Sequence, residues 1–423
     1  MSLSAVARES HLAVSASSSI PRWLHRFALF IIAWAILLIW WGAAVTTENV
    51  GLAVPDWPLA FNRVNPDGWW GLLPLLLEHG HRWLATILTG LVMLLFFGVV
   101  VADRRRLRLP GVREWPLSVS ELIMVVLLSV ALVVAVAFNQ SPRVAPEGQV
   151  VWGWLAIGLG LLCLAWLGGS LAVRRWSTPV RLMSVIWVVI GIQAILGGTR
   201  VTALSDALGI FHGSLGQVLF CLLLTVGLVT SANWPQPSAM VEATRRQFLT
   251  MALIFLVAVV VQLTLGAGIR HTQRMIPAAL DVVTTGGSFF PAAGRGDLWL
   301  IFAHKAWAMV VLILGSVLAL QARRGLAAHP GIRRLALTVP VLLGCQVTLG
   351  ISVLLTMDRF KLPPSTTLVQ MKLSPVFWVT NLHVLTGLGI LACAFTLVVK
   401  LIAAAPHRGR VTTQSGESTG LPT

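Results

Sequence analysis

The residues best suited to chemistry stand together at Leu77-Glu78-His79-Gly80-His81-Arg82, where a polar segment containing Pro55-Asp56-Trp57-Pro58 meets a long apolar run. A carboxylate, two imidazoles and a guanidinium at the mouth of an apolar helix are costly there and need partners or a task. If a helix starts by Glu78, then Glu78 and His81 share a face at i, i+3, and His79 points about 100° away. The spacing predicts one imidazole paired with the carboxylate and one that is not.

Three more histidines share the setting of His81: His212 in Phe211-His212-Gly213, His304 in Ala303-His304-Lys305 and His383 in Leu382-His383-Val384. Each falls in the first turn or two of an apolar run that would cross a membrane from outside to inside. Of the remaining histidines, His11, His25, His329 and His407 fall in inside segments and His271 in an outer loop. One histidine at a helix end is ordinary, because helix ends need hydrogen-bond partners. Four at one depth weaken that reading. Neutral imidazole ligates iron, zinc and copper, and haem iron takes axial histidines from helices in a bundle. The carboxylates and thiolates of a zinc or di-iron site are nearly absent, Glu78 excepted. Cys163, Cys221, Cys345 and Cys393 all lie inside apolar runs with no CxxC pair. The pattern favours two bis-histidine haems over a hydrolytic metal site. With no tyrosine in the chain, a tyrosine proton donor or radical is excluded.

These residues need membrane helices to position them. The chain is 57% hydrophobic and 11% charged, with a mean hydropathy of +0.84, a composition that points to an all-α integral membrane protein. Apolar runs of spanning length recur near 27–47, 82–102, 117–138, 150–173, 180–199, 210–231, 248–269, 300–321, 335–356 and 381–403. Ten spans put both termini on one side. With that side inside, the inside segments hold 20 of the 31 Lys and Arg, including Arg104-Arg105-Arg106 and Arg323-Arg324. The positive-inside rule therefore explains the +16 net charge better than nucleic-acid binding does. Residues 1–26 read as a cytoplasmic tail without a cleavable signal, and 404–423 as a disordered cytoplasmic tail. A plasma membrane is favoured, with a mitochondrial inner membrane as the alternative. The Gly-rich 284–297 and Pro-rich 358–375 segments read as outer loops able to cover a site.

A second pattern pairs the helices. Gln-x-x-Leu-Gly occurs at Gln193–Gly197, Gln262–Gly266 and Gln346–Gly350, each time in the run before a His-bearing run. Close helix packing alone would explain one such motif; three in the same place mark an internal repeat. The first unit lacks the Gln but has Gly42. His304 to His383 spans 79 residues and His81 to His212 spans 131, an excess of 52, the size of one helical hairpin. Runs 117–138 and 150–173 carry neither motif. The expected architecture is two pseudo-symmetric four-helix bundles plus an inserted hairpin. An N-terminal half, 27–231, includes the hairpin at 117–173, and a C-terminal half covers 248–403, with one haem site in each.

With these residues the chain resembles the heme A synthase family, the membrane enzymes that convert haem O to haem A. The resemblance covers about 27–105 and 180–403 and rests on Gly51-Leu52, Pro55-Asp56-Trp57-Pro58-Leu59, Glu78-x-x-His81-Arg82, Gln193-x-x-Leu-Gly-Gly198-Thr199-Arg200-Val-Thr202 and the four histidines. It implies that His81 and His212 flank the substrate haem, haem O, and that His304 and His383 ligate a haem b that passes electrons. The implied reaction oxidises a porphyrin methyl to a formyl group, for cytochrome oxidase biogenesis. Glu78 would be the essential carboxylate, stabilising positive charge at the methyl carbon or steering water; the plainer alternative is an ion pair with Arg82 or a hydrogen bond to His81. Arg82, Arg200 and Lys305 would meet the haem propionates, or simply snorkel. Implied partners are haem O, an electron donor (quinol or ferredoxin), membrane lipid and a haem O synthase, with no nucleic acid. Three features depart from the family. Val54 and Ala60 stand where many members have a Cys pair, Val45-Thr46-Thr47-Glu48 replaces an Arg-x-Thr, and the hairpin is extra.

Three functions are consistent with these residues: a haem-modifying oxidoreductase, a non-catalytic diheme cytochrome b, and a transporter built on repeated helix units. Glu78 beside His81 favours the first, since a pure carrier has no need of an acid there. The polar groups cluster at the outer surface rather than the midplane, which argues against the third.

Overall fold

The computed structural model describes residues 21–61, 63–107, 119–139, 145–173, 177–231, 234, 240–272, 281–359 and 375–404. Among the described residues ten long helices carry the fold: α1 (Arg22–Thr47), α2 (Leu73–Leu107), α3 (Val119–Asn139), α4 (Pro146–Val173), α5 (Thr178–Thr202), α6 (Asp206–Val229), α7 (Glu242–Thr272), α8 (Gly296–Gly325), α9 (Pro330–Arg359) and α10 (Pro375–Ala403). Each contains a stretch long and apolar enough to cross a bilayer. The chain is an all-helical, multi-pass membrane protein. Helices suit that solvent because they satisfy their own backbone hydrogen bonds.

The boundaries differ from the expected ones in three places that matter. α1 starts at Arg22, inside the stretch expected to be tail. α2 starts at Leu73 rather than near 82, because Pro74 suits a first helical turn and Leu75-Leu76-Leu77 extend the apolar run. Glu78, His79 and His81 therefore lie in the second and third turns of α2, not at its mouth. α7 continues through Thr272, so His271 belongs to a helix rather than an outer loop. The expected tails 1–20 and 405–423, and most of the Pro-rich loop (360–374), lie outside the described residues.

Sequential neighbours pack as hairpins, and two closed rings follow from the remaining contacts. α1, α2, α5 and α6 form one ring in that order, and α7, α8, α9 and α10 form the other. Leu24, Ile31, Leu95, Phe96, Met183, Ile186 and Leu223 fill the first bundle; Phe255, Leu318, Ala336, Val339, Ala394 and Leu397 fill the second. α1, α6, α7 and α10 join the halves, with Trp40 stacked on Trp378 at a ring-centre distance of 6.4 Å. The α3–α4 hairpin sits outside the first ring against α5, tied by Trp187 Nε1 donating to Ser129 Oγ at 3.0 Å. Its exposed Val150, Val151, Trp154 and Leu161 suit a hydrocarbon surrounding.

In each ring one diagonal pair carries the histidines: α2 and α6 in the first, α8 and α10 in the second. The other diagonal pairs, α1 with α5 and α7 with α9, carry Gly42, Gly197, Gly266 and Gly350.

Candidate functional site

His81, His304 and His383 are each the ninth residue of their helix, and His212 is the seventh. At 1.5 Å rise per residue they all sit roughly 10–13 Å in from one end of the bundles. His81 and His212 face each other across the first bundle with ring centres 6.4 Å apart and planes at 77°. Two imidazoles holding one metal atom between facing nitrogens, each at about 2.0–2.1 Å, have ring centres roughly 6 Å apart. The separation thus leaves room for a single atom on the line between the rings. Among the described residues no group of three or more His, Cys, Asp or Glu is placed to hold a metal ion. An atom held here by two imidazoles must take its other ligands from elsewhere, as an iron in a porphyrin does.

Each histidine is seated against a glycine on the preceding helix. A Cβ on Gly42 would stand 2.9 Å from His81 Cε1 and 3.3 Å from its Nδ1; on Gly197, 2.9 and 3.3 Å from the same atoms of His212. The corresponding Cε1 distances are 3.2 Å for Gly266 and His304 and 3.1 Å for Gly350 and His383. The Gln-x-x-Leu-Gly motif now has a physical reading. The glycine four residues after the glutamine removes the side chain that would cover the glutamine carbonyl, and the imidazole closes on that bare backbone. His212 Nδ1 meets Gln193 O at 3.2 Å, and His383 Nδ1 meets Gln346 O at 3.2 Å. An Nδ1–H donated to a carbonyl fixes the ring and its tautomer, leaving Nε2 of His212 as the nitrogen that could bind a metal; at His383 the Gln346 amide also reaches Nε2. The glutamine amides close the loop from the other side. Gln193 Nε2 donates to His212 O at 2.8 Å, Gln262 Nε2 donates to His304 O at 3.1 Å, and Gln346 Nε2 lies 3.1 Å from His383 Nε2. In the first unit Leu38 occupies the glutamine position, four residues before Gly42, and among the described residues the buried Nδ1 of His81 has no hydrogen-bond partner.

The expected pairing of Glu78 with a histidine does not form. Glu78, only 4% exposed, accepts from Val54 N at 3.0 Å through Oε2 and from Arg82 Nη2 at 2.8 Å through Oε1. Arg82 also donates to the carbonyls of Val54, Asp56 and Leu59 at 2.7–3.0 Å. The carboxylate and guanidinium, one turn apart on α2, together hold the 50–60 loop. Loop proximity wins over His81 because Val54 and Arg82 offer N–H donors aimed at the carboxylate, whereas His81 turns toward Gly42. The second half repeats the device without the acid: Lys305, next to His304, donates to the carbonyls of Asp281 and Thr284. His79 points away from the pair and is buried against Asn65 (Nε2 to Oδ1, 2.9 Å), with the Trp69 ring 4.9 Å off.

Arg200 lies at the first site. Its guanidinium packs flat on Gly51, where a Cβ would stand 2.8 Å from Nη2, and Trp57 covers Gly198, where a Cβ would stand 2.3 Å from the indole. Two residues that the sequence did not single out for the site reach it from the other half. A Cβ on Gly209, one turn before His212, would meet His271 Nδ1 at 2.7 Å and Arg200 Nε at 3.0 Å. Arg270 donates to Ala43 O at 2.6 Å and Thr47 Oγ1 at 2.8 Å, beside the glycine that seats His81. The last turn of α7 therefore grips the first bundle. The only signal in the sequence was two consecutive basic groups following a Gln-x-x-Leu-Gly motif.

No curated protein matches the chain. The profile of one family, COX15-CtaA, described as cytochrome oxidase assembly protein, matches residues 151–362, half of the chain, running from within α4 to just past α9. The match contains two of the Gln–Gly units together with His212 and His304, as well as Gln346 and Gly350. Residues 27–105 and 375–403, with Glu78, His81 and His383, lie outside it. Ten apolar helices, three Gln-x-x-Leu-Gly seats and this match together identify the chain as a member of the COX15-CtaA family of cytochrome oxidase assembly proteins.

Proposed function

We propose that the protein serves cytochrome oxidase assembly as a haem-modifying oxidoreductase of the heme A synthase type. In this reading the first bundle receives haem O between His81 and His212, and the second holds haem b between His304 and His383. The observation that carries it is the asymmetry between two otherwise matching imidazole pairs. Only the first has a carboxylate one turn before a histidine, Glu78 before His81: three residues before His212, His304 and His383 stand Gly209, Ile301 and Thr380. A pure electron carrier would need no such difference. The 6.4 Å spacing of His81 and His212 supports a haem iron between them.

When bound, haem would supply the redox chemistry of methyl oxidation: with dioxygen as oxidant, one oxygen atom enters the methyl group and electrons from a quinol or ferredoxin reduce the other to water, whereas oxygen taken from water would require dioxygen to accept the electrons leaving the methyl group. The chain's own residues orient and shield. Gly42 and Gly197 set the planes of the two imidazoles, and Gln193 O holds His212 through Nδ1. Glu78, tethered at both oxygens, puts a carboxylate one turn from His81. There it would stabilise positive charge growing at a porphyrin methyl carbon. The loop held by Arg82, with Trp57 over Gly198, keeps bulk water off that end. The basic loops argue for both termini inside and the sites near the outer face of the membrane.

The test is chromatography of acid-extracted haems from membranes making this protein together with a haem O-producing enzyme. Haem A, or its hydroxylated precursor, should appear with the native chain and vanish with Glu78→Ala while haem stays bound. Haem b and unchanged haem O alone, where a known synthase works, would move the reading to an electron carrier.

A further inference from the structure

A tight turn joins α8 to α9 at the end of the second bundle opposite its histidines. Leu326 N donates to Ala322 O at 3.1 Å, His329 N to Leu326 O at 3.0 Å and Arg333 N to His329 O at 2.9 Å. Leu326 and Ile332 are buried. The turn gathers cations. Arg323 and Arg324 end α8, Arg333 and Arg334 stand near the start of α9, and Lys400 lies in the last turn of α10, which packs on α9. No Asp or Glu occurs between residues 298 and 357 or in α10. On the neighbouring α7, Glu242 is held by Arg245 and Arg246 at 2.8 and 2.6 Å. Among the described residues Arg323, Arg324, Arg333, Arg334 and Lys400 have no such ion pair.

Cations are common at the ends of membrane helices, where they stretch their nitrogens into water. Two nitrogens here do not. Arg333 Nε and His329 Nδ1, one helical turn apart, are both buried and among the described residues have no hydrogen-bond partner. An arginine Nε–H can only donate, and a buried donor without an acceptor is costly. We propose that the α8–α9 turn is a binding site for the phosphate of an anionic phospholipid. Arg333 and His329, the latter as its Nδ1–H tautomer, donate to the phosphate oxygens, and the surrounding arginines and Lys400 balance the negative charge. A guanidinium fork matches phosphate geometry, and basic pockets between membrane helices suit anionic head groups. The position selects a lipid over a soluble phosphate. Leu320, one turn before Arg324, and Ile402, two residues after Lys400, are exposed and give acyl chains a surface on which to lie. The site does not depend on the haem reading.

The test titrates the full-length protein, in a neutral detergent, with dioctanoyl phosphatidylglycerol and follows bound lipid by native mass spectrometry. Binding should saturate and be at least about tenfold tighter than that of dioctanoyl phosphatidylcholine, whose choline meets the same cations. Arg333→Gln should weaken it about tenfold. Arg246→Gln, on an arginine held by Glu242, should leave it unchanged. If Arg333→Gln fails to fold, Arg333→Lys against Arg334→Lys decides, because lysine keeps the charge and removes the Nε donor. Weaker binding in the first alone supports the site, and equal binding overturns it. Equal affinity for the two lipids, or equal losses in Arg333→Gln and Arg246→Gln, would reduce the cluster to general surface charge and overturn the proposal. Glycerol phosphate bound as tightly as phosphatidylglycerol would give the site to a soluble phosphate and overturn the choice of a lipid.

Discussion

Gly42 lies so close under the His81 imidazole that a single methyl group there would stand 2.9 Å from Cε1. Gly197 holds His212 as tightly, whereas Gly266 and Gly350 leave 3.2 and 3.1 Å. Gly→Ala inside a helix ordinarily gains up to about 1 kcal/mol of helix propensity, and Gly90 of α2, with open space around its Cβ position, should show that gain. Gly42→Ala and Gly197→Ala should instead displace the facing ring. Their expected signature is at least a halving of first-site haem content with a shifted low-spin electron paramagnetic resonance signal. Gly266→Ala and Gly350→Ala should perturb the second signal less. Equal behaviour of Gly42→Ala and Gly90→Ala would mean that the close seat has no effect on the ring.

The loop over the first site hangs on α2 and α5 at once. Arg82 supplies bonds to three loop carbonyls and to Glu78, and Gly198 makes room for Trp57. Arg82→Met strands a buried carboxylate and three carbonyls, a loss of about 3–5 kcal/mol by analogy with broken buried pairs. Arg82→Lys keeps the charge but not the fork, and should lose part of this. Gly198→Ala must expel the indole. Both variants release the same loop, so the double variant should cost less than the sum of the singles, by at least about 0.5 kcal/mol. Thermal unfolding and protease cleavage within 50–60 measure it, and strict additivity would mean that the two anchors act independently. Lys305→Ala, which frees only two carbonyls of a more exposed loop, should cost nearer 1 kcal/mol.

Much of the architecture was legible because membrane spans announce themselves by length. Ten apolar runs, the hairpin arithmetic and the four histidines needed no tertiary knowledge. The Gln-x-x-Leu-Gly repeat was visible as a pattern, but its target was not. That the glycine seats an imidazole of the next helix depends on which faces meet, a long-range fact that no local periodicity carries. The same limit explains Glu78. Spacing along one helix put it on the face of His81, whereas its partners are Arg82 and a loop amide twenty-four residues back in sequence.

Arg200 offers a prediction about the ligand rather than the fold. Of the three cations expected at haem propionates, Arg82 and Lys305 donate to loop carbonyls, while Arg200 packs between Gly51 and Gly209 beside His271. A guanidinium there should prefer a carboxylate. Arg200→Gln should weaken first-site binding of iron protoporphyrin by about tenfold and leave binding of its dimethyl ester, which has no carboxylate, unchanged. An equal loss for both would assign Arg200 to holding the loop.

Arg270 should couple the two halves. Its Nη2 reaches from α7 to Ala43 O at 2.6 Å and Thr47 Oγ1 at 2.8 Å on α1, within a turn of the glycine that seats His81. Interhelical hydrogen bonds in membranes average about 0.6 kcal/mol and reach about 1.7, and a charged donor with two acceptors belongs at the upper end. Arg270→Met should therefore lower unfolding stability by about 1.5–2 kcal/mol, and Thr47→Val by less than half of that, because the Ala43 carbonyl remains to receive the guanidinium. The double variant should be no worse than Arg270→Met alone, since valine removes an acceptor that then has no donor. The spectroscopic consequence separates a bridge from mere packing. Because Arg270 fixes the turn of α1 that carries Gly42, its loss should broaden the first-site haem signal although the residue stands on the helix of the second site. A first-site signal untouched by Arg270→Met, with stability lowered as expected, would confine Arg270 to joining the bundles.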